Sequence, residues 1–334
     1  MKIYLFHVDK KLRIGYYINI MNMKFSLFTD IIKLNKSKSL EDGCVVAVGG
    51  FDGVHIGHRV LINALVEEAK ARSLPAAVFT FCTDDNPKGD AKLLALREKK
   101  MELLASLGVD FVAEAPFSEI CGVDAEDFAK EFLFKGLGAK IIVCGYDFRF
   151  GKGRKGDVEL IERVLGGEGV RVSTPPALLS RCVPVSSTAI RKLITEGDVK
   201  NANSLLGRCF SFKAPVVHGA QLGRTIGFPT TNQRYPERLA ILKYGVYAVF
   251  CDFGGKRYGG IANVGIKPTV GGKDVLCETF IFDFNGDCYG ENIEISFVEF
   301  IREETKFSSL EELKQQISLD KNIALDILSK EYIL

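Results

Sequence analysis

From residue 45 to about 196 short apolar runs alternate with helical patterns, and after Gly207 that alternation stops. The apolar runs cover 45–48, 76–81, 110–113, 141–144 and 170–173; amphipathic stretches at 60–71, 97–107, 125–134 and 158–165 separate them. Such alternation builds a parallel sheet covered by helices on both faces, and its ligands bind beyond the carboxyl ends of the strands. Beyond Gly207, segments 210–217, 245–252, 257–264, 277–282 and 292–300 read as strands split by Gly-, Asp- and Asn-rich turns. No long helical pattern returns until 310–328. That half predicts a small antiparallel barrel closed by C-terminal helices, with 193–206 as a helical connection. The fold class is therefore α/β with a second, all-β half. The expected division is an uncertain extension and lead-in over 1–40, a first domain over 41–196 and a second over 197–334. A chain of 334 residues is long enough for two cores.

Composition removes several classes. Hydrophobic residues make up 47% and the net charge is +2, which gives no general pull toward nucleic acid or a membrane surface. No apolar run reaches the length of a membrane span. The first 23 residues are broken by Asp9, Lys10, Lys11 and Arg13 and lack a small-residue cleavage site, so no signal peptide is expected. Met21 or Met23 is an alternative start. Nine cysteines without a CxxC pair point to a reduced, cytoplasmic compartment, with neither a disulfide framework nor a zinc knuckle. Cys44, Cys144 and Cys251 sit in or beside strand-like runs, where a thiol serves as a small hydrophobe.

Three motifs fall at strand-to-helix boundaries of the first half. The first is Gly49-Gly50-Phe51-Asp52-Gly53-Val54-His55-Ile56-Gly57-His58, which follows the 45–48 run and opens a helix. It brings two imidazoles and several backbone N–H groups to a helix N-terminus, where a polyphosphate is favoured. The second runs from Gly145 to Gly156 and carries Asp147 with Arg149, Lys152, Arg154 and Lys155. The third is Ser186-Ser187-Thr188-Ala189-Ile190-Arg191, whose hydroxyls suit a helix cap or a bound phosphate. Each alone is more often structure than function; three in this order indicate a nucleotide site. Class I aminoacyl-tRNA synthetases share the His-x-Gly-His turn, but the nearest look-alike of their lysine loop, Lys36-Ser37-Lys38-Ser39, lies upstream of it.

From about residue 44 to 318 the chain resembles the bacterial bifunctional riboflavin kinase/FMN adenylyltransferases (FAD synthetases). The Phe51–His58 turn, Gly145-Tyr146-Asp147-Phe148-Arg149-Phe150-Gly151 and the 186–191 segment match one half. The other half is matched by Gly219, Gly223 and Gly227 leading into Pro229-Thr230-Thr231-Asn232. Gly245-Val246-Tyr247-Ala248, Ala262-Asn263-Val264-Gly265, 278–284 with Glu278, and Tyr289-Gly290 extend that match. Two unlike halves in the family's order are far more specific than any single motif. Departures are Gly50 in place of Asn, a missing Pro-His-Pro after Phe81, Phe280 in place of His, and Ile266-Lys267 in place of Thr-Arg.

The resemblance implies a Rossmann-like FMN adenylyltransferase domain followed by a β-barrel riboflavin kinase domain. ATP, riboflavin and FMN are the implied small-molecule substrates. A monomer or weak homo-oligomer without nucleic-acid or membrane partners is expected. In the kinase half, Glu278 corresponds to the catalytic base, Thr230 and Asn232 to holders of Mg²⁺ and phosphate, and Gly219, Gly223, Gly227 and Pro229 to a nucleotide loop. In the adenylyltransferase half, His55 and His58 are implied as charge stabilisers for the triphosphate. Gly49, Phe51, Asp52, Gly53 and Gly57 would shape the turn, and Asp147 and Arg149 would flank the nucleotide. Ser186, Ser187, Thr188 and Arg191 would hold the leaving pyrophosphate. The departures at Gly50 and 83–87 leave open the alternative of a kinase with a weakened first half. A regulator that only binds flavin is disfavoured by the pairing of Glu278 with Thr230 and Asn232.

Overall fold

The computed structural model describes residues 2–5, 30–35, 37–82, 91–176, 178–180, 183–219, 223, 226–269 and 272–331. The chain forms two compact units, Met1–Ala91 with Leu96–Ser186, and Lys92–Ala95 with Ser187–Leu334. The 187–196 stretch, which the sequence attaches to the first half, belongs to the second unit. Lys92–Ala95 joins that unit through Leu93, whose N–H donates to the Arg238 carbonyl at 2.7 Å.

The first unit is built on strands β1 (Lys2–Leu5), β2 (Asp30–Lys33), β3 (Cys44–Val48), β4 (Ala76–Phe81), β5 (Phe111–Ala115), β6 (Ala139–Val143) and β7 (Arg171–Ser173). Their order is β1-β2-β5-β4-β3-β6-β7. The five strands from β3 to β7 pair in parallel. The lead-in adds a mixed edge, since β2 runs antiparallel to β5 while β1 runs parallel to β2. All five residues of β3 are buried, and successive side chains enter opposite cores. Val46 and Val48 meet Phe79 and Ile142 on one face; Val45 and Ala47 meet Val78 and Val143 on the other. Helices α1 (Ile56–Ala71) and α2 (Arg97–Ser106) cover the second face with Ile62, Leu65, Met101 and Leu104. The short helices α3 (Phe117–Ile120) and α4 (Ala125–Asp127), the π-helix Phe128–Gly136 and α5 (Val158–Leu165) cover the first. Burial on both faces is why these strands read as unbroken apolar runs.

The chain steps outward from β3 to β4 and β5, then returns to the other side of β3 with β6 and β7. This reversal between β3 and β6 leaves a crevice at their carboxyl ends, the general ligand position in open α/β sheets.

In the second unit, α6 (Ser187–Glu196) and α7 (Val199–Leu206) replace the single expected connection, with Gly197-Asp198 between them. A minor pair, β8 (Leu179–Ser180) with β9 (Val183–Pro184), precedes them in the chain and falls in the first unit. Six antiparallel strands then close into a barrel of order β10-β11-β14-β13-β12-β15. They are β10 (Phe210–Val217), β11 (Thr230–Arg234), β12 (Gly245–Phe253), β13 (Lys256–Thr269), β14 (Gly272–Ile281) and β15 (Asn292–Arg302). Val246, Ala248 and Phe250 pack outward on the final helix α8 (Leu310–Glu331), against Ala324 and Leu328. The alternate residues Tyr247, Val249 and Cys251 therefore turn to the barrel interior and are fully buried.

Candidate active sites

In the first unit, β3 runs into Gly49 and the turn that starts α1. The backbone there is left-handed at Phe51 (φ 48), Gly53 (φ 76) and Val54 (φ 42). Two non-glycine residues at positive φ cost on the order of 1–3 kcal/mol each, and burial of Phe51 and Val54 holds them in place. His55 is the N-cap of α1: the backbone N–H of His58 donates to its Nδ1 at 3.2 Å. That bond makes Nδ1 the acceptor and Nε2 the protonated nitrogen. A doubly protonated His55 ring would lose this cap. The two imidazoles stack at 3.6 Å, and Phe51 meets His58 edge-on at 5.3 Å. A Cβ at Gly57 would press on His55 Nδ1 at 3.2 Å and lie 3.5 Å from the Val185 carbonyl. The 185–186 segment with Ser186 is thereby brought to this turn. At Gly50 a Cβ would meet nothing within 4 Å, so the departure there removes a side chain without blocking one.

Beyond β6, on the adjacent strand, Asp147 and Arg149 are exposed. Arg149 lies 3.8 Å from Asp157, a loose surface pairing. Phe150 and Gly156 exchange backbone hydrogen bonds at 2.9 and 3.1 Å, so Lys152, Arg154 and Lys155 stand exposed on the loop between them. Gly49, Phe51, Asp52, Gly53, Gly57, His55, His58, Asp147 and Arg149 thus follow the two central strands at the crevice. Ser187, Thr188 and Arg191 lie on α6 in the second unit, where Arg191 donates to the Lys92 carbonyl at 3.5 Å. The 83–90 segment, which includes the missing Pro-His-Pro, lies outside the described residues.

In the second unit, one row of side chains crosses five strands. Asn232 on β11 is opposite Glu278 on β14, Glu278 opposite Asn263 on β13, Asn263 opposite Val246 on β12, and Val246 opposite Arg302 on β15. The neighbouring row holds Thr230, Phe280 and Ile261. Together they wall a cavity of about 360 Å³ closed by Leu313 and Ile317 of α8. Phe280 meets Phe228 edge-on at 5.3 Å, so the residue that departs from the family forms an apolar wall. Asn263 donates to Glu304 Oε1 at 3.1 Å, while its buried Oδ1 accepts nothing from the described residues. Arg302 grips Asp320 of α8 at 2.8–3.1 Å and fixes the helix over the cavity. Thr230 also lines a second cavity of about 240 Å³ with Pro229, Phe284 and Tyr289.

The glycines beside these residues permit close approach. A side chain at Gly219 would run into the Asn232 amide, and one at Gly223 into the Phe228 carbonyl. Gly227 takes φ 84 just before Pro229. Among the described residues no cluster of three or more His, Cys, Asp or Glu could hold a metal ion. The second site instead offers neutral oxygens of Thr230 and Asn232 beside Glu278, while Glu304 and Asp320 on its lining are engaged by Asn263 and Arg302.

The comparisons with known proteins agree with this arrangement. A family model described as FAD synthetase matches residues 37–189, and one described as riboflavin kinase matches 206–328. The bifunctional riboflavin kinase/FMN adenylyltransferase of Escherichia coli K12 is 39% identical over 297 residues, which cover 86% of this chain and 93% of that one. The chain belongs to the bifunctional riboflavin kinase/FMN adenylyltransferase family. The Bacillus subtilis member is 34% identical over 90% of this chain and 95% of its own. A crystal structure of a macrolide-efflux protein from Streptococcus pneumoniae matches with a TM-score of 0.79 and 32% identity, covering 87% of this chain and 96% of that one. Among the described residues no helix is long and apolar enough to cross a membrane. Both halves of the family architecture are present, and nothing in the comparisons favours a kinase alone.

Sequence reasoning passed over three residues. Asn263 and Arg302 come into the row only through barrel register. Lys100, on a helix written Arg97-Glu98-Lys99-Lys100, reads as surface, yet it is 2% exposed.

Proposed function

We propose that the two sites act in succession, phosphorylating riboflavin to FMN in the barrel and adenylylating FMN to FAD at the turn after β3. The observation that carries the barrel assignment is the placement of Glu278 beside Asn232 where two cavities meet at Thr230. The larger, apolar-walled cavity has the size of a small-molecule pocket and receives the flavin. The other receives the nucleotide. Asn263 Oδ1 offers an acceptor to a hydroxyl or imide N–H of the flavin.

In the kinase step the ribityl 5′-hydroxyl attacks the γ-phosphorus of ATP. The new O–P bond forms as the bond to the β-γ bridging oxygen breaks, the hydroxyl proton passes to Glu278, and ADP leaves. Such transfers have loose transition states, so positioning and charge balance dominate. Thr230 and Asn232 offer hard, neutral oxygens that would suit Mg²⁺. Bound there, the ion would neutralise phosphate charge.

In the adenylyl step a phosphate oxygen of FMN attacks the α-phosphorus of a second ATP, and pyrophosphate leaves with the α-β bridging oxygen. The attacking phosphate is already anionic, so no base is needed. His55 Nε2–H, the His58 ring and the N–H groups that open α1 hold the triphosphate. The eight described cysteines are all free thiols, in keeping with a reduced cytoplasm. A monomer or weak homo-oligomer suffices, since each site draws on one chain.

A chromatographic assay of riboflavin, FMN and FAD tests this division. Supplied FMN should be converted to FAD by Glu278→Ala, and supplied riboflavin to FMN by His58→Ala. Loss of both products in either variant would contradict it.

A further inference from the structure

Lys100 is buried beneath the nucleotide turn. Its ammonium donates to Thr80 Oγ1 at 2.7 Å and lies 3.4 Å from the Phe81 carbonyl at the end of β4. The Thr80 hydroxyl in turn donates to the Gly50 carbonyl at 3.0 Å. This relay ends on the residue just before Phe51, where the backbone becomes left-handed. The charged and titratable groups around the ammonium are Glu114 of β5, Asp52 of the turn, Cys82 after β4 and Arg97 of α2. Arg97 is itself engaged by Glu114 at 2.7 Å. Burial pushes the ammonium down to about 8, with Glu114 and Asp52 opposing the fall. A methionine would fill the same space without that desolvation cost, so packing alone does not call for a lysine here.

We infer that Lys100 is a positioning residue for adenylyl transfer. Through Thr80 its ammonium holds the Gly50 carbonyl, and with it the 51–55 turn, in the shape that receives the triphosphate. The inference rests on the assignment of nucleotide to that turn. The relay also supplies, from behind, a constraint on a position that here has no side chain of its own.

The test uses the full chain and compares Lys100→Met, Lys100→Arg and Thr80→Val with His58→Ala. FAD formation from supplied FMN is followed between about pH 6 and 10, a range that spans the lysine's shift. FMN formation and thermal melting are recorded alongside. Wild-type FAD formation should fall as pH rises through about 8, as the ammonium loses its proton. Lys100→Met should lose about tenfold or more in kcat for FAD, lack that alkaline fall, and keep full kinase activity. Lys100→Arg should retain the charge and move the alkaline limb out of range. Thr80→Val should lose FAD formation in the same sense. Wild-type kcat/KM in Lys100→Met, or an unchanged alkaline limb in Lys100→Met and Lys100→Arg, would overturn the role of Lys100. FAD formation surviving in His58→Ala would instead overturn the turn itself as the nucleotide site. Should Lys100→Met fail to fold, the limb in Lys100→Arg still decides the question.

Discussion

Asn232 and Glu278 stand directly opposite each other on β11 and β14, in a row that continues to Asn263. Opposed residues on antiparallel strands have Cβ atoms about 4.5–5.5 Å apart, so an amide oxygen and a carboxylate share one edge of the cavity. One suits cation and phosphate, the other a proton. Glu278→Gln keeps the shape and loses the basicity. It should lower kcat for FMN by about 10²- to 10⁴-fold with little change in KM. Asn232→Ala should instead raise the ATP and Mg²⁺ needed for half-maximal rate. Steady-state kinetics of FMN formation separate the two.

His55 caps α1, and the proposed function gives it a second, separable task at the triphosphate. His55→Ala should lose about 1 kcal/mol of stability with the cap, together with FAD formation. Asparagine is a good cap, so His55→Asn should melt close to wild type and still form little FAD. Thermal unfolding and the FAD assay on the same preparations distinguish packing from chemistry.

The two glycine environments predict opposite outcomes. Gly219→Ala would push a methyl group into the Asn232 amide, so FMN formation should fall by about tenfold or more while FAD formation from supplied FMN persists. Gly50→Asn enters open space and should cost no stability. Its FAD formation should equal or exceed that of wild type.

Arg302 and Asp320 tie the end of β15 to α8 over the cavity proposed to receive the flavin, with Asp320 only 1% exposed. Asp320→Ala leaves the guanidinium without its bidentate partner. Breaking a buried pair costs about 3–5 kcal/mol, and the 21% exposure of Arg302 places the expected loss at about 3. KM for riboflavin should rise, and FAD formation from supplied FMN should be spared.

The parallel strands were legible in the sequence because burial on both faces writes itself as apolar runs, as in Cys44–Val48. β11 was not. Its Thr230-Thr231-Asn232-Gln233-Arg234 has no apolar period, because Gln233 is buried by donating to the Ala214 and Ile293 carbonyls and Thr231 by donating to that of Thr279. The strand that carries the candidate metal ligands was thus found by motif and not by pattern. Residues 30–33 read as an uncertain lead-in, yet Ile31 and Ile32 are fully buried against the sheet. A two-residue apolar core in a four-residue strand is too short to announce itself. Gly219 reads as part of a nucleotide loop, and its packing on Asn232 makes the absent side chain a requirement. Lys100 is invisible for the opposite reason: a lysine in a charged helical turn signals solvent, and only tertiary contact with Thr80 reveals it.

The proposed function requires two chemically independent sites on one chain. The most direct measurement is a time course of His58→Ala and Glu278→Ala with riboflavin, ATP and Mg²⁺, and again with FMN supplied. His58→Ala should accumulate FMN without FAD. Glu278→Ala should leave riboflavin unchanged yet convert supplied FMN to FAD. Parallel loss of both products in either variant would contradict the account.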